Sequence, residues 1–490
     1  MTEMSFGRNL AEMAESQPDR IVITHNDQTW TARDFHRFTN RLARDYQRLG
    51  VKRNDLVTIA LPNGWEFMAA CWATWKAGAT PQPVSARLPR FERDAIIEVA
   101  EAALVVGSSD PSPNGCPVLS VGHDPQSDDE SDLEDLWPDR WKAPTSGGST
   151  GRPKLIVDAN PALYDFDQAM LNGKDVTWLE QRPFETHLVV GPLYHNGPFS
   201  FAMQAFLRRN HIVIADRFDA EDTLRLIEHH RANWMMMVPT MMHRIWRLPE
   251  DVRNGYDLSS LRVMLHLAAP CPPWLKEEWI NWLGADRIFE LMGGTEATGV
   301  TWITGEEWMS HKGSVGRLKP GSSMKIVRDD GSEAAVGEVG EVFFLPDGGQ
   351  GSTYTYLGAE SKAIDGGWES LGDMGYVDEE GYLYLTDRRA DMILSGGANI
   401  YPAEVEAAIE LFPGVRSCVV IGLPDDDLGN RVHAIVDAPD GLDEDGLRAF
   451  LAERLVRYKI PRSFEASDDG PLRDDAGKVR RKNLRADRLA

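Results

Sequence analysis

The chain has 490 residues and a formal net charge of −24 at pH 7, which is too long for one ordinary domain and too acidic for nucleic acid or an anionic membrane to be its main partner. Any anionic ligand must therefore be met by a local cluster of donors. Its four cysteines, Cys71, Cys116, Cys271 and Cys418, include no C-x-x-C pair, so neither a disulfide framework nor a zinc site is indicated and a reducing cytoplasm fits.

The stretch Met1 to Asp19 is polar and lacks the basic and then apolar order of a secretory signal. From Thr31 to Gly50 apolar residues recur at helical spacing through Phe35, Phe38, Leu42, Tyr46 and Leu49. Leu56 to Leu61 then reads as a buried strand and Trp65 to Lys76 as a second helix. Further alternation at Phe91 to Ala100, Ala103 to Val106 and Thr223 to His230 predicts α/β layers. Residues 108 to 135 are rich in Ser, Pro, Asp and Gly and are expected to be a solvated loop. The most apolar run, Trp234 to Met242, contains Pro239 and falls short of the roughly 20 residues of a membrane helix, so a soluble protein is expected. After Gly313 short strands and turns predict a β-rich part. Beyond Asp387 to Asp391 the pattern returns to strand, glycine turn and helix, as expected of a small α+β domain.

The segment Thr145-Ser146-Gly147-Gly148-Ser149-Thr150-Gly151-Arg152-Pro153-Lys154 combines glycines, hydroxyls and two cations in ten residues. Glycines turn backbone N–H groups toward one anion, hydroxyls add neutral donors, and the cations offset phosphate charge. Such clusters are commonly surface turns, but this one runs straight into the apolar Leu155-Ile156-Val157. A Walker-type loop needs Gly-Lys-Ser/Thr before a helix, whereas Arg152 and Pro153 part Gly151 from Lys154. Gly147 to Gly151 satisfies G-x-S-x-G, yet Pro153 would disrupt the helix that a hydrolase elbow launches.

Gly293-Gly294-Thr295-Glu296 follows the apolar Ile288 to Met292, and a carboxylate there facing a phosphate loop would hold Mg²⁺. Asp373, in a glycine turn, could accept hydrogen bonds from a diol. Gly477-Lys478 heads a basic tail that includes Arg480, Arg481 and Lys482. Each of these has a plainer reading as a turn or a solvated face.

Together the segments resemble the adenylate-forming superfamily of acyl-CoA synthetases, peptide-synthetase adenylation domains and beetle luciferases. The motifs that carry the resemblance span nearly the whole chain: Ala77-Gly78-Ala79, the loop at 145 to 154, Pro192 to His195, Gly293 to Glu296, Gly313 to Arg317, Gly372-Asp373, Asp387-Arg388, Ser395 to Pro402 and Gly477-Lys478. The resemblance implies an α/β fold with a large N-terminal domain of two sheets, residues 1–387, including a β-barrel part at about 313–387. A hinge at 388–390 centred on Ala390 and a small mobile C-terminal domain at 391–490 would follow. It implies ATP and Mg²⁺ as cofactors, a small carboxylic acid as substrate, and CoA or an amine as the second partner. Thr145, Ser146, Gly147, Gly148, Ser149, Thr150 and Lys154 would hold the β and γ phosphates. Thr295 and Glu296 would serve the α phosphate and the metal, with Ala269, Met292 and Gly293 around the nucleotide. Asp373 would bind the ribose hydroxyls, supported by Arg388, and Lys478 would bridge the substrate carboxylate and α phosphate. The acyl pocket would use His195, Phe199, Phe201, Met236, Met237, His266, Leu267 and Gly294, with His195 either a packed wall or a catalytic residue that gates the pocket or transfers a proton.

The sequence departs from the family at three places. Met292 stands where an aromatic packs beside adenine, Ala390 replaces the usual Asp or Lys of the hinge, and Ala398 replaces a larger residue often found in CoA-forming members. Broad apolar walls suit an aromatic or polycyclic acid, and no acid partner for an ammonium is evident in Phe199 to Met203. The run His266 to Trp274 is similar to bile-acid and polycyclic-acid CoA ligases and to amide bond synthetases. The expected activity is an acid–CoA ligase, with an amide bond synthetase and a degenerate nucleotide-binding protein as alternatives. Joint presence of Lys154, Glu296, Asp373 and Lys478 weighs against the last.

Overall fold

The computed structural model describes residues 3–147, 153–171, 174–388, 391–395, 398–425, 427–467, 472–474 and 478–489. Two parallel sheets organise the N-terminal part. In the smaller, Leu56–Ile59 lies between Thr80–Pro83 and Leu104–Val106, all parallel. Helix Trp65–Lys76 is buried on nearly every side, as its near-absence of charge requires. Helix Ala32–Arg48 starts where the Thr31 side chain accepts from Asp34 N, and it buries Phe35, Leu42 and Tyr46 at helical spacing.

The larger sheet runs in the order Ile288–Gly293, Val263–Leu267, Trp234–Met237, Thr186–Val189, His211–Ile214, Ile21–His25, with every neighbouring pair parallel. Strands buried on both faces read as continuous apolar runs, and Trp234–Met237 is wholly buried. Pro239 ends that run by opening the helix Pro239–Trp246. Antiparallel strands then extend the same sheet: Val300–Thr304 pairs with Ile288–Gly293, and Gly316–Leu318, Tyr382–Arg388, Asp373–Val377 and Gly340–Pro346 follow. The β-rich stretch thus grows from the edge of the parallel sheet.

The C-terminal domain has its own core, in which Ile400, Val405, Val420, Ala434, Leu447 and Leu451 are buried together. Its hairpin Ser417–Asp425 and Gly429–Asp437 is joined in parallel by Ser463–Ala466. Arg247, at the end of the helix Pro239–Trp246, donates to the Val415 carbonyl and links the two parts. No helix among the described residues is long and apolar enough to cross a membrane.

The acidic loop at 108–135 is more constrained than its composition implies. Most of its charged side chains face water, but its backbone is strapped to the helix Ala32–Arg48: Arg41 donates to the Ser127 and Pro125 carbonyls at 2.7 and 3.1 Å, and Asn40 to those of Glu130 and Ser131 at 3.0 and 3.1 Å. Asp45, 1% exposed, accepts from Gln126 N at 2.8 Å and lies 3.0 Å from His123 Nε2. Replacing Asp45 with Ala removes the buried acceptor that both donors share, and we expect a loss of about 1–2 kcal/mol, measured by urea unfolding. A change below about 0.5 kcal/mol, the range of ordinary surface substitutions, would show the strap to be dispensable.

Candidate active site

The carboxyl ends of the parallel strands face one cleft, as ligand sites do in open α/β sheets. Thr186–Val189 leads to His195, Val263–Leu267 to Ala268 and Ala269, and Ile288–Gly293 to Gly294, Thr295 and Glu296, and all of these residues from His195 to Glu296 line that cleft. Its volume is about 3290 Å³, more than one small ligand needs. Thr145, Lys154, Met292, Gly293, Asp373 and Lys478 line it too. Residues from both ends of the sequence therefore meet in one space.

Thr145–Gly147 and Pro153–Asp158 pair antiparallel, with Ser146 opposite Lys154. The glycine segment is thus bounded by two strands, and its exit into a strand rather than a helix is incompatible with a hydrolase elbow. Gly148, Ser149 and Thr150 lie outside the described residues, as does Ala390, and the Ser146, Gly147 and Arg388 side chains are likewise undescribed. Thr145 Oγ1 accepts from Gln82 Nε2 at 2.7 Å, while Gln82 accepts from Thr58 at 2.7 Å, so the smaller sheet orients the first hydroxyl of the loop.

Lys154 Nζ lies 3.7 Å from Glu296 Oε1 and 3.9 Å from the centre of the Tyr356 ring. The Tyr356 hydroxyl donates to the same carboxylate oxygen at 2.5 Å. Burial, reinforced by that bond to Glu296, pushes the Tyr356 phenol well above its ordinary range, so it remains a donor. One carboxylate beside a phosphate hairpin suits Mg²⁺, whose remaining ligands come from phosphate oxygens and water. Tyr356 was not anticipated from the sequence. Its signal is the alternation Tyr354-Thr355-Tyr356 on a strand that pairs with Pro153–Asp158. A Cβ at Gly294 would sit 2.2 Å from Leu371 Cδ1 and 2.8 Å from Glu296 Oε2, so a larger residue there would displace those side chains.

Asp373 begins its strand opposite Arg388, so the two backbones are in register. Gly372 before it has φ of +87°, a turn conformation that favours glycine. Lys478 approaches from the C-terminal domain, its N–H bonded to Asp474 Oδ1 at 2.8 Å.

Of the residues expected in the acyl pocket, His195, Phe201, Met236, Leu267 and Gly294 line the cleft. Three others are placed elsewhere. Phe199 is wholly buried and packs on Phe67, Trp75 and Trp141. Met237 and His266 are buried behind the walls formed by Met236 and Leu267. The reason is periodicity: Met236 and Met237 are neighbours on a strand, as are His266 and Leu267, and Phe199 and Phe201 lie about 200° apart round a helix, so neither pairing presents both side chains to one side. Beneath the wall, Lys276 Nζ meets Glu290 Oε2 at 2.6 Å, and burial together with Lys276 holds His266 far below its usual pKa.

A glycine-rich hairpin and a carboxylate gathered at the ends of a parallel sheet, with a lysine of the C-terminal domain lining the same cleft, are an arrangement that a nucleotide-using ligase of two-domain α/β architecture needs. Residues 10–348 match the AMP-binding enzyme family and residues 404–476 its C-terminal domain, so the chain belongs to the AMP-binding enzymes. It is an adenylate-forming ligase that uses ATP and Mg²⁺. The chain is 29% identical to a feruloyl-CoA synthase from an Amycolatopsis species, covering 99% of both chains. It is 30% identical to the 2-succinylbenzoate–CoA ligase of Bacillus licheniformis, covering 97% of this chain and 98% of that one. Among solved structures, it superposes with a TM-score of 0.81 at 26% identity on the Bacillus subtilis o-succinylbenzoate CoA synthetase carrying its acyl-adenylate, covering 99% and 98% of the two chains. That enzyme is also known in complex with ATP and magnesium.

Ala268, at the mouth of the strand Val263–Leu267, has φ of +76°, a left-handed conformation that costs an alanine about 1–2 kcal/mol. Ala268→Gly should therefore raise the free energy of unfolding by about 1 kcal/mol in urea. A decrease would mean that the alanine methyl contributes packing that outweighs the strain.

Proposed function

We propose that the protein activates an aromatic or polycyclic carboxylic acid as its acyl-AMP and then transfers the acyl group to the thiol of CoA. The observation that carries this reading is the gathering of Lys154, Glu296, Asp373 and Lys478 around one cleft with an apolar lobe walled by Phe201, Met236 and Leu267. Gly197 leaves that lobe open on the helix side, where a Cβ would come within 3.3 Å of Met236 Cε and 3.4 Å of Leu267 Cδ1. Flat apolar walls favour a planar ring system, and the aromatic acids in the names of the relatives above support that class.

The chemistry is set by charge. A carboxylate attacking the α phosphate brings two anions together, and the oxygen–phosphorus bond forms as the bond to pyrophosphate breaks. Lys478 offsets the charge shared by the attacking carboxylate and the α phosphate, while Lys154 steadies the departing pyrophosphate. Magnesium held at Glu296 would neutralise phosphate charge. Asp373 accepts the ribose hydroxyls and fixes the nucleoside, and Met292 gives the purine a polarizable, adaptable wall. In the second half-reaction the thiol attacks the acyl carbonyl and AMP leaves. Cys71, Cys116, Cys271 and Cys418 are free thiols, Cys71 and Cys418 buried.

Lys478→Ala should slow acyl-adenylate formation by about two to three orders of magnitude, the scale for losing a positioned electrostatic group, with pyrophosphate release as the readout. Release near the native rate would remove Lys478 from the mechanism. The acceptor is tested by supplying an aromatic acid and MgATP with either CoA or a simple amine and weighing the product. Thioester formed with CoA supports the ligase, whereas rapid amide formation with no CoA present would replace it with an amide bond synthetase.

A further inference from the structure

The lobe that receives the acid has one feature its apolar walls do not explain. Lys142 is 5% exposed, yet it lines the cleft. Its Nζ donates to Asn196 Oδ1 at 2.5 Å and to Ser200 Oγ at 2.9 Å, while Asp158 Oδ2 at 3.9 Å is beyond hydrogen-bonding range. An ammonium has three donors, so one remains without a hydrogen-bond acceptor among the described residues, while the charge also stands 4.5 Å from the centre of the Trp141 ring. Burial lowers its pKa to about 8, against the pull of Asp158, which leaves it mostly charged at neutral pH.

Asn196, Ser200 and Gln204 follow at intervals of four along the helix Asn196–Leu207 and therefore form one stripe, and all three line the cleft. The stripe lies one residue round the helix from Gly197 and Phe201, the positions that open and wall the apolar lobe. Gln204 Oε1 is buried with no hydrogen-bond partner among the described residues. A buried cation with an unused donor and a buried amide with an unused oxygen are costly to maintain unless a ligand completes them.

Resting on the acyl-activating reading above, we infer that Lys142, with Asn196, Ser200 and Gln204, forms a second polar subsite that binds an acceptor oxygen on the far part of the acid. The preferred substrate is thus an aromatic acid bearing a further oxygen group, either a second carboxylate or a neutral keto or hydroxyl oxygen. The Lys142 ammonium donates to that oxygen, and where the group is a hydroxyl its own proton goes to Gln204 Oε1.

The test compares matched ring acids that differ only in the distal group: none, keto, hydroxyl or second carboxylate. Pyrophosphate release is followed with MgATP for the full native chain, Lys142→Met and Gln204→Leu, each first checked for a cooperative thermal transition. For the native chain, kcat/KM should favour at least one oxygen-bearing acid over its apolar counterpart by about ten- to a hundred-fold, the scale of a charge-assisted hydrogen bond. Lys142→Met should bring that ratio close to one, chiefly through KM, and Gln204→Leu should reduce the hydroxyl preference most. Preference for the dicarboxylate identifies an anionic group as occupant, and preference for the keto or hydroxyl acid a neutral one. Release from every acid at rates that ignore the distal group would overturn the subsite and leave the activating reading intact. Pyrophosphate release from none of the acids would overturn both. If Lys142→Met fails to fold, Ser200→Ala, which removes a contact to the ammonium and one to Asn196 Oδ1, must still lower the ratio, and an unchanged ratio there counts against the subsite.

Discussion

The contact on which the site depends is that between Lys154, Glu296 and Tyr356. A chain with a net charge of −24 repels a polyphosphate at long range, so attraction must be generated at short range by cations placed in a partly dry cleft. Lys154 alone would be a flexible point charge. Its position 3.7 Å from Glu296 and 3.9 Å from the Tyr356 ring ties the strand after the phosphate loop to the mouth of the large parallel sheet. The Tyr356 hydroxyl, bonded to Glu296 at 2.5 Å, completes a three-way contact among segments that are far apart in sequence. The loop, the sheet end and the β-rich part are thereby held in one geometry before any ligand binds, which is what electrostatic catalysis requires.

The strand Pro153–Asp158 carries that geometry further. Lys154 is near its start and Asp158, near Lys142, at its end. Four residues of extended chain span about 13 Å, so one strand holds the two positions well apart. The two lysines it separates differ in role because they differ in surroundings: Lys154 shares its carboxylate with a tyrosine at the mouth of the cleft, while Lys142 is enclosed by amide and hydroxyl oxygens.

Much of this was legible in the sequence, and the failures have physical causes. Helix Ala32–Arg48 and the strands Leu56–Ile59 and Leu104–Val106 follow from apolar period, and the exit of the glycine loop into a strand follows from Pro153 and the apolar run after Lys154. Tyr356 escaped notice because its partner Glu296 is 60 residues away and strand pairing is a non-local fact. Phe199, Met237 and His266 are expected in the pocket from the family resemblance, although alternation along a strand and rotation round a helix send them into the core. Lys142 was overlooked because a single lysine between Trp141 and Ala143 reads as a surface residue until the helix that carries Asn196 and Ser200 is laid across it. The acidic loop looked merely solvated because the backbone carbonyls that hold it leave no trace in composition.

The second domain poses a different constraint. Arg473 and Arg481, which bracket Lys478 in sequence, both bind Glu406, at 3.0 and 2.6 Å, and that 5% exposed carboxylate also accepts from Val420 N at 2.8 Å. Arg481 reaches Asp391 as well, at 3.1 Å. The two guanidiniums hold the Glu406 carboxyl below its ordinary pKa in spite of its burial, so the clamp persists through the neutral range: stability gained from such a lowered acid is lost only as pH falls through its folded-state value. Lys478 N donates to the Asp474 carboxylate at 2.8 Å, and Asp474 N donates to the Lys478 carbonyl at 2.9 Å. Lys478 is therefore fixed to the body of its own domain at both flanks. The link from Arg247 to the Val415 carbonyl, made between the two parts, is therefore also a constraint on where that lysine stands.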